Sequence, residues 1–183
     1  AGAAIHGAAR KHAVVTGASQ GLGRALIDAF LAREYAVSFC ARRQERIEEI
    51  LAEVQIRGLG DRICGVCADI ESAADMAAFW KALPTRLGNV TVWINNAGYA
   101  GGGGKFTDLP DESLRHMLTT NLVGTAIACR VVPAGLHAQG AGARLVWLTR
   151  SRLFRRKVQR HIMPRNVRAQ WAAEGGPDCS TQA

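Results

Sequence analysis

Lys11-His12-Ala13-Val14-Val15-Thr16-Gly17-Ala18-Ser19-Gln20-Gly21-Leu22-Gly23 is the stretch whose reading decides the fold. Residues 11–16 are mostly apolar and β-branched, which predicts a short strand, and the glycines that follow predict a turn. From residue 21 to 33 apolar residues recur at helical spacing, with Leu22, Ala25, Leu26, Ala29 and Phe30 on one face. A strand, a turn of small residues and a helix in succession let the backbone approach a pyrophosphate. The amides and dipole of the helix N-terminus would meet its charge. The candidate contacts are Gly17, Ser19, Gln20, Gly21, Leu22 and Gly23. An ordinary strand-to-helix turn also favours glycine, so the surrounding pattern has to carry the reading.

That pattern repeats outward. Residues 36–41 form an apolar second strand, and residues 44–57 carry charges and aliphatics at helical spacing up to Gly58 and Gly60. Residues 62–68 read as a third, buried strand. Ser72 is placed to cap a helix running to Leu83, where Pro84 stops it. Residues 90–95 are a fourth strand, followed by a flexible glycine loop at 101–104. Residues 111–137 form a long helical stretch with acids in its first turn and a kink expected at Pro133. Residues 144–148 are a fifth strand. Apolar strands alternating with helices predict an α/β fold whose parallel sheet is covered on both faces.

The 183 residues suit one sizeable domain, and no apolar run approaches the roughly 20 residues of a membrane span. The net charge of +8 is not spread over the chain. Eight Lys/Arg and no acids lie between Arg150 and Arg168; taking these eight from the 23 leaves 15, equal to the 15 acidic residues. A basic nucleic-acid-binding domain is therefore not expected, and residues 150–183 read as a basic tail apart from the domain at 1–149. Cys40, Cys64, Cys67, Cys129 and Cys179 form no disulfide framework, which fits a reducing intracellular or organellar compartment. Cys64 and Cys67 have the spacing of a metal or redox pair. On a strand they point to opposite faces, so no metal site is expected.

The end of the second strand discriminates between the two nicotinamide dinucleotides. An acid there would bind a ribose 2′-hydroxyl and repel a 2′-phosphate. Here Cys40-Ala41-Arg42-Arg43 has no acid and two guanidiniums, so Arg42 is expected to select NADP(H) over NAD(H).

With these residues in place the chain resembles the short-chain dehydrogenase/reductase family over residues 11–149. Residues 16–23 resemble that family's cofactor turn, and Asn95-Asn96-Ala97-Gly98 its second motif. Asp69-Ile70 resembles its adenine-contacting acid and neighbour, and Asn121 the asparagine of its proton relay. The resemblance implies a Rossmann-like doubly wound parallel sheet of order 3-2-1-4-5. It implies cofactor contacts at Asp69, Ile70, Asn95, Ala97 and Gly98, NADPH-dependent carbonyl reduction, and a homodimer whose interface this chain does not complete. Residues 92–98 and 120–124 further resemble plant and algal chlorophyll b reductases, with Trp93 the most telling residue. That branch implies a pigment carbonyl and a chloroplast location; outside it, a small-molecule carbonyl and the cytoplasm are implied.

The resemblance stops at the chemistry. The family donates a proton from a tyrosine whose pKa is lowered by a lysine one helical turn later, with a serine holding the carbonyl oxygen. The two tyrosines here, Tyr35 and Tyr99, both precede Asn121, and Leu153 stands four residues before Lys157. Ser151 is the one candidate for the serine. Asn121 is left as a relay remnant, and the sheet is expected to lack the family's final strands. Two readings of residues 150–183 stay open. They form a basic module whose Leu153, Phe154, Val158 and Ile162 share a helical face for an anionic membrane or a partner. Alternatively they are foreign sequence that truncates the domain, a reading favoured because family pattern and charge balance are lost together.

Overall fold

The structure is a computed structural model that describes residues 10–100, 106–140 and 143–147. The glycine loop at 101–104, Leu148, Ser151, the boundary at 149/150 and the basic tail lie outside the described residues.

β1 (His12–Thr16) is buried at every position, as a strand covered on both faces must be. It pairs in parallel with β2 (Ala36–Ala41) on one side and β4 (Val90–Asn95) on the other. β3 (Ile63–Cys67) pairs outside β2, and β5 (Arg144–Trp147) outside β4, which gives the order β3-β2-β1-β4-β5. This is the expected order. Parallel neighbours require crossovers, and the helices supply them: α1 (Gly21–Leu31), α2 (Gln44–Ile56), α3 (Ala73–Lys81), α4 (Asp111–Leu118) and α5 (Thr125–Ala138).

Alternation along the strands sorts the core into two layers. Val15, Val37, Phe39 and Ile94 pack beneath Leu26, Ile27 and Leu31 of α1 and Ile47, Ile50 and Val54 of α2. On the other face Val14, Cys40 and Trp93 meet Met76 and Phe79 of α3 and Ala128 and Val132 of α5. Trp93 is fully buried, its ring 5.6 Å from Phe79 and 5.9 Å from Trp80.

Several elements depart from the sequence reading. β3 is not a buried strand: Ile63 is buried but Cys67 is exposed, because β3 is the outermost strand on its side of the described sheet. In its register Cys64 lies beside Ser38 and Cys67 beside Ala41, which puts the two cysteines on opposite faces. α1 ends at Leu31, two residues early, and α3 at Lys81. Ser72 does cap α3, its hydroxyl accepting the Asp75 amide at 3.1 Å. The stretch expected as one helix is interrupted by a wide π turn at Thr119–Gly124, and α5, which contains Pro133, follows it. Tertiary contact places that irregularity. A Cβ on Gly124 would stand 2.7 Å from Ile70 Cδ1, and Thr120 and Asn121 each bond to segments more than 20 residues away. By length and composition, Asp111–Ala138 is long and apolar enough to cross a membrane, against the expectation that no segment is. Its Ala128 and Val132 are core residues of the fold.

His12 is a polar group inside β1 with no exposure. Its Nδ1 lies 3.0 Å from the Gly88 carbonyl and its Nε2 2.9 Å from Ser38 Oγ. A carbonyl only accepts, so Nδ1 carries the proton and Nε2 accepts from the Ser38 hydroxyl. Burial pushes the imidazole pKa below its ordinary 6.5, partly offset by the Gly88 carbonyl. The unfolded chain therefore takes up a proton first as pH falls. Stability is full above pH 6.5 and declines below it, through the lowered value. Denaturant titrations from pH 7.5 to 5 should show that loss, with a slope of at most about 1.4 kcal/mol per pH unit from this group. In His12→Leu the component should vanish; an unchanged slope would remove His12 as its source.

Candidate functional site

The carboxyl ends of the strands meet where the chain order reverses between β1 and β4, the place where open α/β sheets gather their ligands. Gly17, just after β1, has φ +63°, and a Cβ built on it would lie 2.4 Å from Ala97 Cα. Only glycine fits there. Thr16 Oγ1 accepts the amides of Asn96 and Ala97, both at 3.1 Å. The Asn96 amide group returns the contact, donating to the carbonyls of Thr16 at 2.9 Å and Gly17 at 3.1 Å. A Cβ on Gly23 would meet the same Asn96 amide at 2.5 Å. Thus the loop after β4 clamps the turn after β1.

The first turn of α1 is left open toward the edge. Gln20, its N-cap, makes no side-chain cap, and no acid stands in the turn. Gly21 has φ +55° with nothing within 4 Å of a built Cβ, so the backbone there faces free space. Ser19 is half-buried, Gln20 exposed, and Leu22 packs on the core beneath. Arg24 is turned away into Asp28 and Glu53.

Beside this turn the Ala18 amide donates to the Cys40 carbonyl at 3.2 Å, which fixes the end of β2 against it. Arg42 and Arg43 follow, exposed, and no ion pair among the described residues engages either. Burial pushes the Cys40 thiol up to about 12, so this cysteine is an inert packing residue. At the end of β3 the Asp69 carboxylate accepts the Glu71 amide at 2.9 Å, and the Asp69 amide donates to Asp75 at 3.0 Å. That bond and the one from the Ser72 hydroxyl hold the Asp75 carboxyl below its ordinary range. Ile70 is buried under the π turn.

Asn121 is in that turn. Its Oδ1 accepts the Tyr99 amide and its Nδ2 donates to the Tyr99 carbonyl, each at 2.8 Å. The side chain thus pairs with one residue's backbone as a neighbouring strand would.

The structure therefore sets the Gly17–Gly23 turn against Ala97, with Gly98 next in the chain, while Arg42 follows β2 and Asp69 and Ile70 follow β3 on the same edge of the sheet. Asn95 differs. Buried at 3% exposure, its Oδ1 accepts from Trp93 Nε1 at 2.9 Å, and its Nδ2 lies 3.6 Å from Cys129 Sγ. It braces the loop from inside, sharing a face with Trp93 because the two are two residues apart on one strand. Sequence reasoning missed Thr16 and Asn96, which make the clamp. Asn96 was within the quoted motif, and its place one residue past Asn95, on the other face of the chain, was the available signal.

The family model for short chain dehydrogenases matches residues 11–149. This chain belongs to the short-chain dehydrogenase family. A Streptomyces violaceoruber relative, described as ketoacyl reductase 1 of the granaticin polyketide synthase, is 34% identical over 75% of this short-chain dehydrogenase and 48% of its own length. The chloroplastic chlorophyll(ide) b reductase NOL of Oryza sativa subsp. japonica is 30% identical over 72% of this chain and 39% of its own. The chain thus spans less than half the length of these curated relatives.

Among solved structures, a variant actinorhodin polyketide ketoreductase with NADPH superposes at TM-score 0.66 and 28% identity, covering 91% of this chain and 60% of that one. A short-chain dehydrogenase/reductase from Burkholderia phymatum in complex with NAD superposes at 0.66 and 25%, covering 75% and 48%. Short-chain dehydrogenases are oxidoreductases that use a nicotinamide cofactor and a carbonyl substrate, and these two structures carry one cofactor of each kind.

Proposed function

We propose that this chain binds NADP(H) at the carboxyl edge of its sheet and corresponds to the nucleotide-binding portion of a carbonyl reductase. The observation that carries the reading is the clamped glycine turn beside an acid-free strand end. Gly17 and Gly21 hold positive φ, the first turn of α1 offers uncapped amides and no acid, and Arg42 and Arg43 stand beside it without an ion pair among the described residues. Such a cradle fits a pyrophosphate at the helix N-terminus and a 2′-phosphate at the guanidiniums. Asp69 and Ile70 would take the adenine, with Ala97 and Gly98 beside the rest of the dinucleotide.

Bound cofactor supplies a hydride; the protein must supply a proton and orient the carbonyl. Asn121 fixes the Tyr99 backbone, but no tyrosine follows it and no Tyr-x-x-x-Lys motif exists in the 183 residues. Ser151 is left as the candidate to hold the carbonyl oxygen. We therefore read the 183-residue chain as catalytically impaired. On a second reading it is a non-catalytic NADP(H)-binding module, which the lack of a Tyr-x-x-x-Lys motif in these 183 residues favours. The carbonyl in the parent reaction would be that of a small molecule or, as in the rice relative, a chlorophyll pigment, which would put the protein in the chloroplast. No nucleic-acid partner and no metal enter this reading.

Arg42→Asp tests the cofactor preference. In a fluorescence titration the variant should lose affinity for NADPH by about ten-fold or more while keeping or improving that for NADH. Equal binding of both by the unsubstituted protein would refute the selectivity argument.

A further inference from the structure

We infer that Glu71 is a positioning residue that couples the adenine side of the site to the turn carrying Asn121, an inference that rests on the nucleotide reading proposed above. Glu71 is tied at both ends. Its amide donates to the Asp69 carboxylate at 2.9 Å, and its own carboxylate accepts the Thr120 hydroxyl. Thr120 is buried at 7% exposure and directly precedes Asn121. His116, one turn earlier on the same face of the helix, brings Nδ1 to 3.8 Å from the same carboxylate, and its ring packs 4.5 Å from that of Tyr99.

The Thr119–Gly124 segment is a π turn, a conformation that persists where surrounding contacts hold it. Glu71 is one of those contacts, and the close approach of Gly124 to Ile70 is another. Both reach the turn from the Asp69–Glu71 segment. A ligand that orders Asp69 therefore orders the Asn121 turn, and the Glu71 carboxylate is the polar link between them. Nothing in the spacing of residues announces it, because Glu71 and Thr120 are 49 residues apart.

Amide hydrogen exchange read by mass spectrometry tests the link, with adenosine 2′,5′-bisphosphate as a probe that contains no nicotinamide. In the unsubstituted protein the probe should slow exchange across residues 115–125. In Glu71→Ala, without any nucleotide, exchange there should rise about ten-fold while residues 44–56 of α2 stay unchanged, since a hydrogen bond to a charged group is lost locally. The probe should still bind this variant but no longer protect residues 115–125. Glu71→Gln, which keeps an acceptor for Thr120, should restore most of the protection. Unchanged exchange in Glu71→Ala, or probe protection that survives in it, overturns the inference. An unsubstituted protein that fails to bind the probe refutes the nucleotide reading and with it the coupling, whereas the exchange of the nucleotide-free variants reports on the Glu71–Thr120 tie alone.

Discussion

Mixed with NADPH and either a panel of aldehydes or chlorophyll b, the 183-residue polypeptide is expected to bind the cofactor weakly at best and leave it unoxidised. Hydride arrival at a carbonyl carbon leaves alkoxide charge on the oxygen, and a positioned acid must meet it. General acid catalysis is typically worth roughly 10²–10⁴-fold, and lost stabilisation of the oxyanion adds to the deficit. Tyr99 is the tyrosine nearest Asn121 in sequence; its backbone is bonded to the Asn121 amide and its ring packs against His116. Lys157 has Leu153 where the family's tyrosine would stand. Binding the cofactor orients one reactant of two, which does not compensate. The assay follows NADPH absorbance with a full-length ketoreductase of the family as reference. Turnover near that reference, abolished by Asn121→Ala, would show that another group donates the proton.

Gly17→Ala is expected to be the most disruptive single substitution in the nucleotide turn. Two penalties act together. A side chain at φ +63° is strained by about 1–3 kcal/mol. Its Cβ would also stand 2.4 Å from Ala97 Cα, a backbone atom held by the Thr16–Asn96 bonds, and overpacking of this kind costs about 1–3 kcal/mol more. Against a typical total stability of about 5–15 kcal/mol, the turn and the β4 loop should separate or the domain should unfold at markedly lower denaturant. Gly21→Ala is the matched control. It has similar φ, +55°, but open space around the built Cβ, so only the same backbone strain of about 1–3 kcal/mol applies, without the overpacking. It should fold, with a modestly lowered midpoint, and, if the proposed pyrophosphate position is right, lose NADPH affinity because the methyl group enters that space. Equal midpoints for the two variants would show that the Ala97 contact does not hold the turn.

The architecture was legible because its determinants are local. Apolar strands, glycine punctuation and helical spacing act within a few residues, and they placed the five strands, the outer bounds of four helical stretches and the turn at Gly17–Gly23 to within a residue or two. The N-cap at Ser72 was legible for the same reason: its partner, Asp75, is three residues away. Strand exposure was not, since a sequence of mostly small apolar residues such as β3 reads alike at the centre of a sheet and at its outer position. The π turn at Thr119–Gly124 was not legible either, since the contacts that meet it come from Ile70, Glu71 and Tyr99, which are distant in sequence.

By itself, then, the sequence determined a parallel doubly wound sheet, a turn of small residues at the N-terminus of α1, an acid-free end to β2, and a stretch from Asn121 to Ala183 without tyrosine. Only the tertiary structure decided which polar residues hold that site together. It turned Asn95 inward to Trp93, gave Asn96 and Thr16 the clamp, and joined Glu71 to Thr120. The physical reason is separation. Thr16 and Asn96 are 80 residues apart, Asn121 and Tyr99 22, and Thr120 and Glu71 49, so their hydrogen bonds exist only once the strands have been laid side by side.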